Sequence, residues 1–459
     1  MIPISEFSPI RRRNLNLLKL KDVDVNKEIL RLAVPNIISN LSIPILSTVD
    51  TALMGHLSAV HLGAVGIGSM IFNFIYWNFG FLRMGTTGMT AQAFGEGDHH
   101  MISLHLWRSV MVALTIAAVV MVLYIPIRSL ISVLFDLDQQ QHQLVIDYFK
   151  IRIIAAPATL LLYVFMGWYF GIQNAVIPLV ITVIINVLNA ALSYVLVVIY
   201  QLDIYGVAVG TVVSQYVGLI SIIILYFNRR GVEFRQLNLK ELWHLRGGLR
   251  SYLSTNTDLF IRTLCLTSSF GFFYIQSSSN GPQFLGASVI LLQLINWMSY
   301  GVDGFAHAAE SIVGKYAGAK QVAKASEAIR KSFLWGLALA VLYALIFYIF
   351  SESIISLFTN DAQLILITQG LYVWIIIFPI ISFSSYIWDG IFIGLLASRE
   401  MRNSMLFSVL LFMCAYYIMF HFKVNSALWI SFIFFMGSRG LIQTLYYFDR
   451  LQFDKEHAQ

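Results

Sequence analysis

Six acidic residues stand in or beside long apolar stretches of this 459-residue chain: Asp50, Asp147, Asp258, Asp303, Glu310 and Asp389. An ionised group in an apolar medium costs several kcal/mol unless it meets water or a partner. Each is therefore a functional group or half of a structural ion pair. Asp50 is the sharpest case. Its helical neighbours Leu46, Leu53 and Met54 are all apolar, and no basic residue lies within a turn or two. A carboxyl isolated in this way can gain and lose a proton near neutral pH. Pro35 lies 15 residues earlier in the same stretch. Proline removes a backbone hydrogen bond, so Pro35 marks either a hinge through which protonation of Asp50 bends the helix or a static kink.

Asp303, His307 and Glu310 follow an i, i+4, i+7 pattern and share one helical face. Histidine beside carboxylates titrates near physiological pH, so this face is a candidate proton relay. Asp258 and Arg262 are four residues apart and are expected to form a structural salt bridge on one helix. Asp389 precedes Gly390-x3-Gly394, where small residues let helices approach closely.

The elements that must position these groups follow from composition. The chain is 58% hydrophobic and 12% charged, against 45–50% and about 25% in soluble domains. Mean hydropathy is +0.74. Such a chain is not disordered, not a nucleic-acid-binding module and not an ordinary cytosolic enzyme; it reads as an all-α polytopic membrane protein. Twelve apolar stretches lie near 29–53, 62–92, 105–134, 144–171, 176–199, 204–227, 250–277, 283–314, 327–350, 363–395, 404–421 and 426–447. Cys265 and Cys414 both lie within them, so neither a disulfide framework nor a zinc site is expected. The first 28 residues contain no apolar h-region, and no cleavable signal peptide is expected.

The net charge of +6 is read as topology. With the N-terminus inside, 21 Lys and Arg fall on inner segments and one, Lys423, on an outer loop. The positive-inside rule then places both termini in the cytoplasm of a plasma (inner) membrane protein. Odd stretches run outward. Asp50, Asn189, Ser193 and Thr211 then lie at similar depth in the outer half, able to share one pocket.

The chain also repeats at an offset of 223 residues. Leu62-Gly63-Ala64 recurs as Leu285-Gly286-Ala287, Asn73 as Asn296, Gly95 as Gly318, and Tyr163-x3-Gly167-x3-Gly171 as Tyr386-x3-Gly390-x3-Gly394. Six spans per half make a parallel repeat about an axis along the membrane normal. The expected organisation is a tail over 1–28, a six-helix lobe over 29–227, a basic linker over 228–249, a second lobe over 250–448 and a tail over 449–459. Two pseudo-symmetric lobes around a central cleft suit alternating access.

Several motifs then resemble one family. Val49-Asp50-Thr51 with Met54-Gly55-His56-Leu57 resembles the first-helix signature of multidrug and toxic compound extrusion (MATE) transporters. Phe81-Leu82-Arg83-Met84-Gly85-Thr86-Thr87-Gly88, Ala91-Gln92-Ala93-Phe94-Gly95, Asp303-Gly304-Phe305-Ala306, Asp389-Gly390-Ile391-Phe392-Ile393-Gly394 and Glu400-Met401-Arg402-Asn403-Ser404 are similar to the DinF-like branch. The resemblance spans about 28 to 448 and implies a twelve-helix, two-lobed antiporter that expels amphipathic, often cationic compounds against protons or sodium ions. It implies a coupling role for Asp50, with Asn189 and Thr211 in the cation-responsive network. At Ser193 many relatives carry aspartate. Serine cannot ionise, which favours protons over sodium as the coupling ion. The resemblance also places Asp258 and Asp389 near a second cation site of other branches.

Phe72, Tyr76 and Trp77 on the second stretch, and Trp297 and Tyr300 on the eighth, are candidate cleft residues, because aromatic faces attract cations and stack on planar compounds. The same rings can equally pack against lipid or neighbouring helices. There is no phosphate loop, zinc-ligand run or G-x-S-x-G turn. No enzyme activity and no cofactor are expected, and transport must draw on an ion gradient. The expected partners are small amphipathic substrates and the bilayer, with no nucleic acid, and the chain is expected to act as a monomer. Two alternatives stand beside this: a lipid-linked oligosaccharide flippase, and a membrane enzyme acting on lipids.

Overall fold

A computed structural model describes residues 24–55, 57–134, 137–234, 250–424 and 426–456. The expected linker beyond residue 234 and most of the N-terminal tail lie outside the described residues. Among the described residues, sixteen α-helices build twelve spans. The first six spans are α1 (Val25–Gly55), α2 with α3 (Ala59–Asn78, Phe81–Glu96), α4 with α5 (His99–Val122, Tyr124–Leu134), α6 with α7 (Gln139–Arg152, Ala156–Gly171), α8 (Val176–Tyr194) and α9 (Asp203–Phe234). The second six are α10 (Arg250–Ser279), α11 (Pro282–Gly318), α12 with the short α13 (Val322–Ile349, Ser351–Phe358), α14 (Ala362–Gly394), α15 (Ser398–His421) and α16 (Ala427–Glu456). Among the described residues, ten continuous helical stretches are long and apolar enough to cross a bilayer by length and composition alone.

Local chemistry explains many boundaries. Asp98, Asp138 and Asp361 cap α4, α6 and α14 by accepting from backbone N–H groups. Gly97 ends α3 in the left-handed region, with φ 73°. Three stretches expected as single helices are interrupted. The second breaks at Phe79–Gly80, where the chain tightens into i→i+3 bonds from Leu82 and Arg83. The third breaks at Leu123, and the fourth passes through a 3₁₀ turn over Ile153–Ala155 just before Pro157. The first break matters most, because it lies one turn before Arg83. Expected ends shift as well. α9 continues through residues 228–234, part of the expected linker, and α16 runs past 448 to Glu456. α1 contains Pro44 as well as Pro35.

The internal repeat reappears as matched contacts. A Cβ on Gly95 would meet the Lys315 carbonyl at 1.9 Å, and a Cβ on Gly318 would meet the Gln92 carbonyl at 2.1 Å. Gln92 and Lys315 themselves stand at the 223-residue offset. Gly167 against the Arg83 carbonyl is likewise mirrored by Gly390 against the Ala306 carbonyl. The repeated glycines thus permit helix-to-helix backbone approach at equivalent points of two lobes.

Candidate functional site

The first candidate centre joins α1, α8 and α9. The Asn189 amide donates to the Thr211 hydroxyl at 2.8 Å, and Thr211 donates onward to the Val207 carbonyl at 2.9 Å. Asn186 donates to Ser42 at 2.8 Å, tying α8 to α1. Asn189 and Ser193 are fully buried, yet the Asn189 side-chain oxygen and the Ser193 hydroxyl have no hydrogen-bond partner. One carboxylate oxygen of Asp50 is in the same condition. Ser193 bears on Asp50 through its hydroxyl. The four residues expected to share a pocket therefore cluster, and they leave several polar atoms unused.

The isolation expected for Asp50 is corrected. Arg152, from the end of α6, acts on it electrostatically. The guanidinium sits over the rings of Phe72 and Tyr148, 5.3 and 5.6 Å from their centroids, and makes no ion pair with Asp50 within 4.0 Å. Helix-local spacing could not reveal a cation about 100 residues away that packs in from another span. Phe72 and Tyr76 are buried in this lobe and stack on each other. Trp77 is half-exposed and packs on Phe270 across the lobes. Trp297 is also half-exposed, and the Tyr300 carbonyl accepts from Asn40 at 3.2 Å. An apolar crevice of about 480 Å³ lies between α4 and α10, lined by Phe79, Phe81, Met111, Thr115, Asn256 and Phe260 among others. None of the five expected cleft aromatics lines it. Asp147 is a structural tie, accepting from Tyr205 at 2.7 Å.

The second centre lies in the C-terminal lobe. Asp258 and Arg262 do not pair with each other, contrary to expectation. Asp258 accepts from Arg402 and Ser398 on α15. Arg262 donates to Asp389, which also accepts from Arg439 at 2.8 Å and Gln443 at 2.8 Å. The i+4 rule failed because each side chain found a better partner on a facing helix. One carboxylate thus holds two buried guanidiniums. Breaking a buried pair by removing one partner costs about 3–5 kcal/mol. Asp389→Asn is expected to lower the thermal midpoint of the purified protein sharply, and Asp389→Asn with Arg439→Met is expected to recover much of the loss. An unchanged midpoint for Asp389→Asn would contradict the pairing.

The third centre is the seam between the lobes. Arg83 on α3 donates to His307 Nε2 on α11 at 2.9 Å and faces Glu310 at 3.6 Å. Phe170 covers both, stacking on the imidazole and lying under the guanidinium. Asp303, on the same face, lies in the field of Arg83, Arg262, Arg439 and Asp389. The expected Asp303–His307–Glu310 face is real as a face, but its pairing with Arg83 was not foreseen. Farther along, Lys315 donates to both oxygens of Glu28 at 2.7 Å, and Tyr316 donates to Glu28 at 2.7 Å. Gln92 donates to the Gly394 carbonyl at 2.9 Å, and Gln173 to the Ser311 carbonyl at 2.8 Å. These ties all lie in the half of the bundle where α1 begins and α16 ends, so the lobes are closed there.

Comparison with known proteins agrees with this geometry. The sequence profile described as MatE matches residues 35–195 and again 259–418, once per lobe. The DNA damage-inducible protein F of Escherichia coli (strain K12) is 32% identical over 420 residues, covering 91% of this chain and 90% of that protein. A probable multidrug resistance protein NorM of Thermotoga maritima is 24% identical, covering 77% of each chain. A crystal structure of a MATE protein in complex with MaL6 superposes with a TM-score of 0.83 at 18% identity, covering 95% of this chain and 98% of that one. An outward-facing multidrug resistance MATE transporter of the MOP superfamily gives 0.84 at 18% identity, covering 94% and 96%. The twelve-span, two-lobed bundle and the doubled profile have one explanation: the chain belongs to the MatE family of membrane transporters and is not an enzyme.

Proposed function

We propose that the protein is a secondary active multidrug efflux antiporter, exporting amphipathic, often cationic compounds in exchange for protons by alternating access. The observation that carries this is the buried, unpartnered carboxylate oxygen of Asp50 beside the Asn189–Thr211 pair. A buried carboxyl with an oxygen left without a donor can bind a proton, or a cationic substrate, but has little reason to exist as a packing group. The names of relatives point the same way: besides the Thermotoga protein, a Xenopus tropicalis relative is called multidrug and toxin extrusion protein 1, at 26% identity over 44% of this chain. Sodium is the alternative ion. Ser193 removes the second acid that would favour it. The flippase reading needs free basic groups for a pyrophosphate, yet Arg83, Arg262 and Arg439 each face a carboxylate.

The protein is placed in the plasma membrane as a monomer with both termini cytoplasmic, so the closed side of the seam faces the cytoplasm. The deciding experiment is dye efflux from proteoliposomes with pH and sodium gradients imposed separately. Efflux driven by the pH gradient alone is expected. Strict sodium dependence would overturn the assignment.

Ser193→Asp provides a second check. It places an acid beside Asp50, where like charges split the titration into two coupled steps. The pH profile of transport is expected to broaden and sodium sensitivity to appear. An unchanged profile would mean that Ser193 does not bear on the coupling group.

A further inference from the structure

We propose that Glu310 is a second proton-binding site, set in the lobe seam, and that one proton taken up there frees Arg83 and unlocks the side of the bundle that carries both termini. The proposal rests on the alternating-access reading above and concerns a different carboxyl from Asp50.

Glu310 is fully buried, and neither carboxylate oxygen has a hydrogen-bond partner. Its compensation is the Arg83 guanidinium at 3.6 Å, beyond hydrogen-bond range. Arg83 spends its close contact elsewhere, on His307 Nε2 at 2.9 Å. Because the guanidinium can only donate, Nε2 accepts, and His307 is the neutral tautomer with its proton on Nδ1. That Nδ1 is itself buried without a partner. The groups facing Glu310 are Arg83 and Thr87 from α3, and Asp303 from its own helix. Phe170 of α7 covers the guanidinium, and α14 meets the Glu310 backbone carbonyl through Gly394, while its Asp389 bears on Asp303.

One guanidinium thus faces two buried acids at the seam, Glu310 at 3.6 Å and, outside ion-pair range, Asp303. A proton on Glu310 removes the nearer negative charge. The guanidinium then keeps only a neutral imidazole, an aromatic ring and the more distant Asp303, a poorly compensated cation. The relief is for Arg83 to move toward water, which separates α3 from α11 and hence one lobe from the other. Asp50 cannot do this, because it lies in the opposite half of the bundle and touches none of the seam ties.

The internal repeat supplies an independent argument. Glu310 stands at the position equivalent to Thr87, and Arg83 at the position equivalent to Ala306. The helix packing behind each position is repeated inside the two lobes, since Gly171 meets the Thr87 carbonyl as Gly394 meets the Glu310 carbonyl. The charged pair is therefore an addition that the packing within each lobe does not require. His307 is a positioning residue, holding Arg83 in line with the carboxylate.

The test uses the full chain in nanodiscs, with Cys265 and Cys414 replaced by serine. Spin labels are placed through Glu96→Cys and Val322→Cys, exposed positions on the two lobes beside the seam. Asp50→Asn is included to silence the first carboxyl. Lowering the pH from about 8 to about 5 is expected to shift the closed-to-open ratio about tenfold or more toward long distances. Glu310→Gln should show the open distances at both pH values. His307→Gln, which can still accept from Arg83, should keep the pH response. A wild-type-like response in Glu310→Gln would overturn the proposal. Should that variant fail to fold, infrared pH-difference spectra of the Asp50→Asn protein carrying carboxyl-isotope-labelled glutamate serve instead. The carboxylic acid band must move with the label; a band that does not move overturns the proposal. If substrate and pH both leave a single distance, the alternating-access reading falls with it, whereas two states with a response independent of Glu310 defeat this proposal alone.

Discussion

Asp50→Asn is expected to reduce gradient-driven efflux to the assay floor while the protein still folds. The change is isosteric, so packing around α1 is preserved, and the substitution removes a charge that finds no donor at one of its oxygens. Asparagine can even use the unpartnered Asn189 and Ser193 oxygens as acceptors, which offsets part of any loss. Arg152 loses the opposite charge but keeps its two aromatic faces and is only half-buried, so it is not stranded. What disappears is the ability to exchange a proton during the cycle. The measurement is dye efflux from proteoliposomes under an imposed pH gradient, paired with a thermal melt and a binding titration. Transport should vanish, the melting midpoint should move by no more than a few degrees, and substrate binding should lose its pH dependence. Retained proton-driven efflux would remove Asp50 from the coupling role and leave the seam carboxyls Asp303 and Glu310 as the carriers.

Much of the architecture is legible in the sequence because the membrane imposes it. Twelve apolar stretches must become helices when no water is present to satisfy backbone groups. The repeat was readable because its glycines mark backbone contacts, and a contact that tolerates no side chain leaves the same residue in both halves. The depth argument also brought Asp50, Asn189, Ser193 and Thr211 together, since depth within a span is fixed by rise per residue.

Partner choice was the illegible part. Arg262 sits four residues from Asp258 and ignores it; Arg152 lies about 100 residues from Asp50 and bears on it. A spacing rule sees one helix, while buried charges choose partners on facing helices. Charge accounting was the available signal: Arg83, Arg262 and Arg439 all lie well inside spans, and each needs an acid nearby. The interruption at Phe79–Gly80 was hidden because both flanking segments are apolar and the stretch reads as one long helix.

Gly95→Leu is expected to abolish closure of the seam without unfolding either lobe. A Cβ at Gly95 would lie 1.9 Å from the Lys315 carbonyl, which belongs to the other lobe. Neither backbone can yield locally, because α3 and α11 are held on both sides by Gln92 with Gly394 and by Lys315 with Glu28. The strain therefore falls on the lobe-to-lobe arrangement. Separating the lobes on this side relieves it, and the open arrangement is the one that alternating access already requires. Gly390 is the internal control. Its Cβ would meet the Ala306 carbonyl at 2.0 Å, a similar clash, but both residues belong to one lobe. No lobe motion relieves that contact, so Gly390→Leu should lower expression and thermal stability, by several kcal/mol in the manner of an overpacked core. The comparison is made by the spacing of spin labels at Glu96→Cys and Val322→Cys, together with melting midpoints. Gly95→Leu should show the open spacing at every pH with a near-normal midpoint and no transport, since a transporter that cannot close cannot cycle. A closed seam in Gly95→Leu would show that the lobes do not separate along α3 and α11.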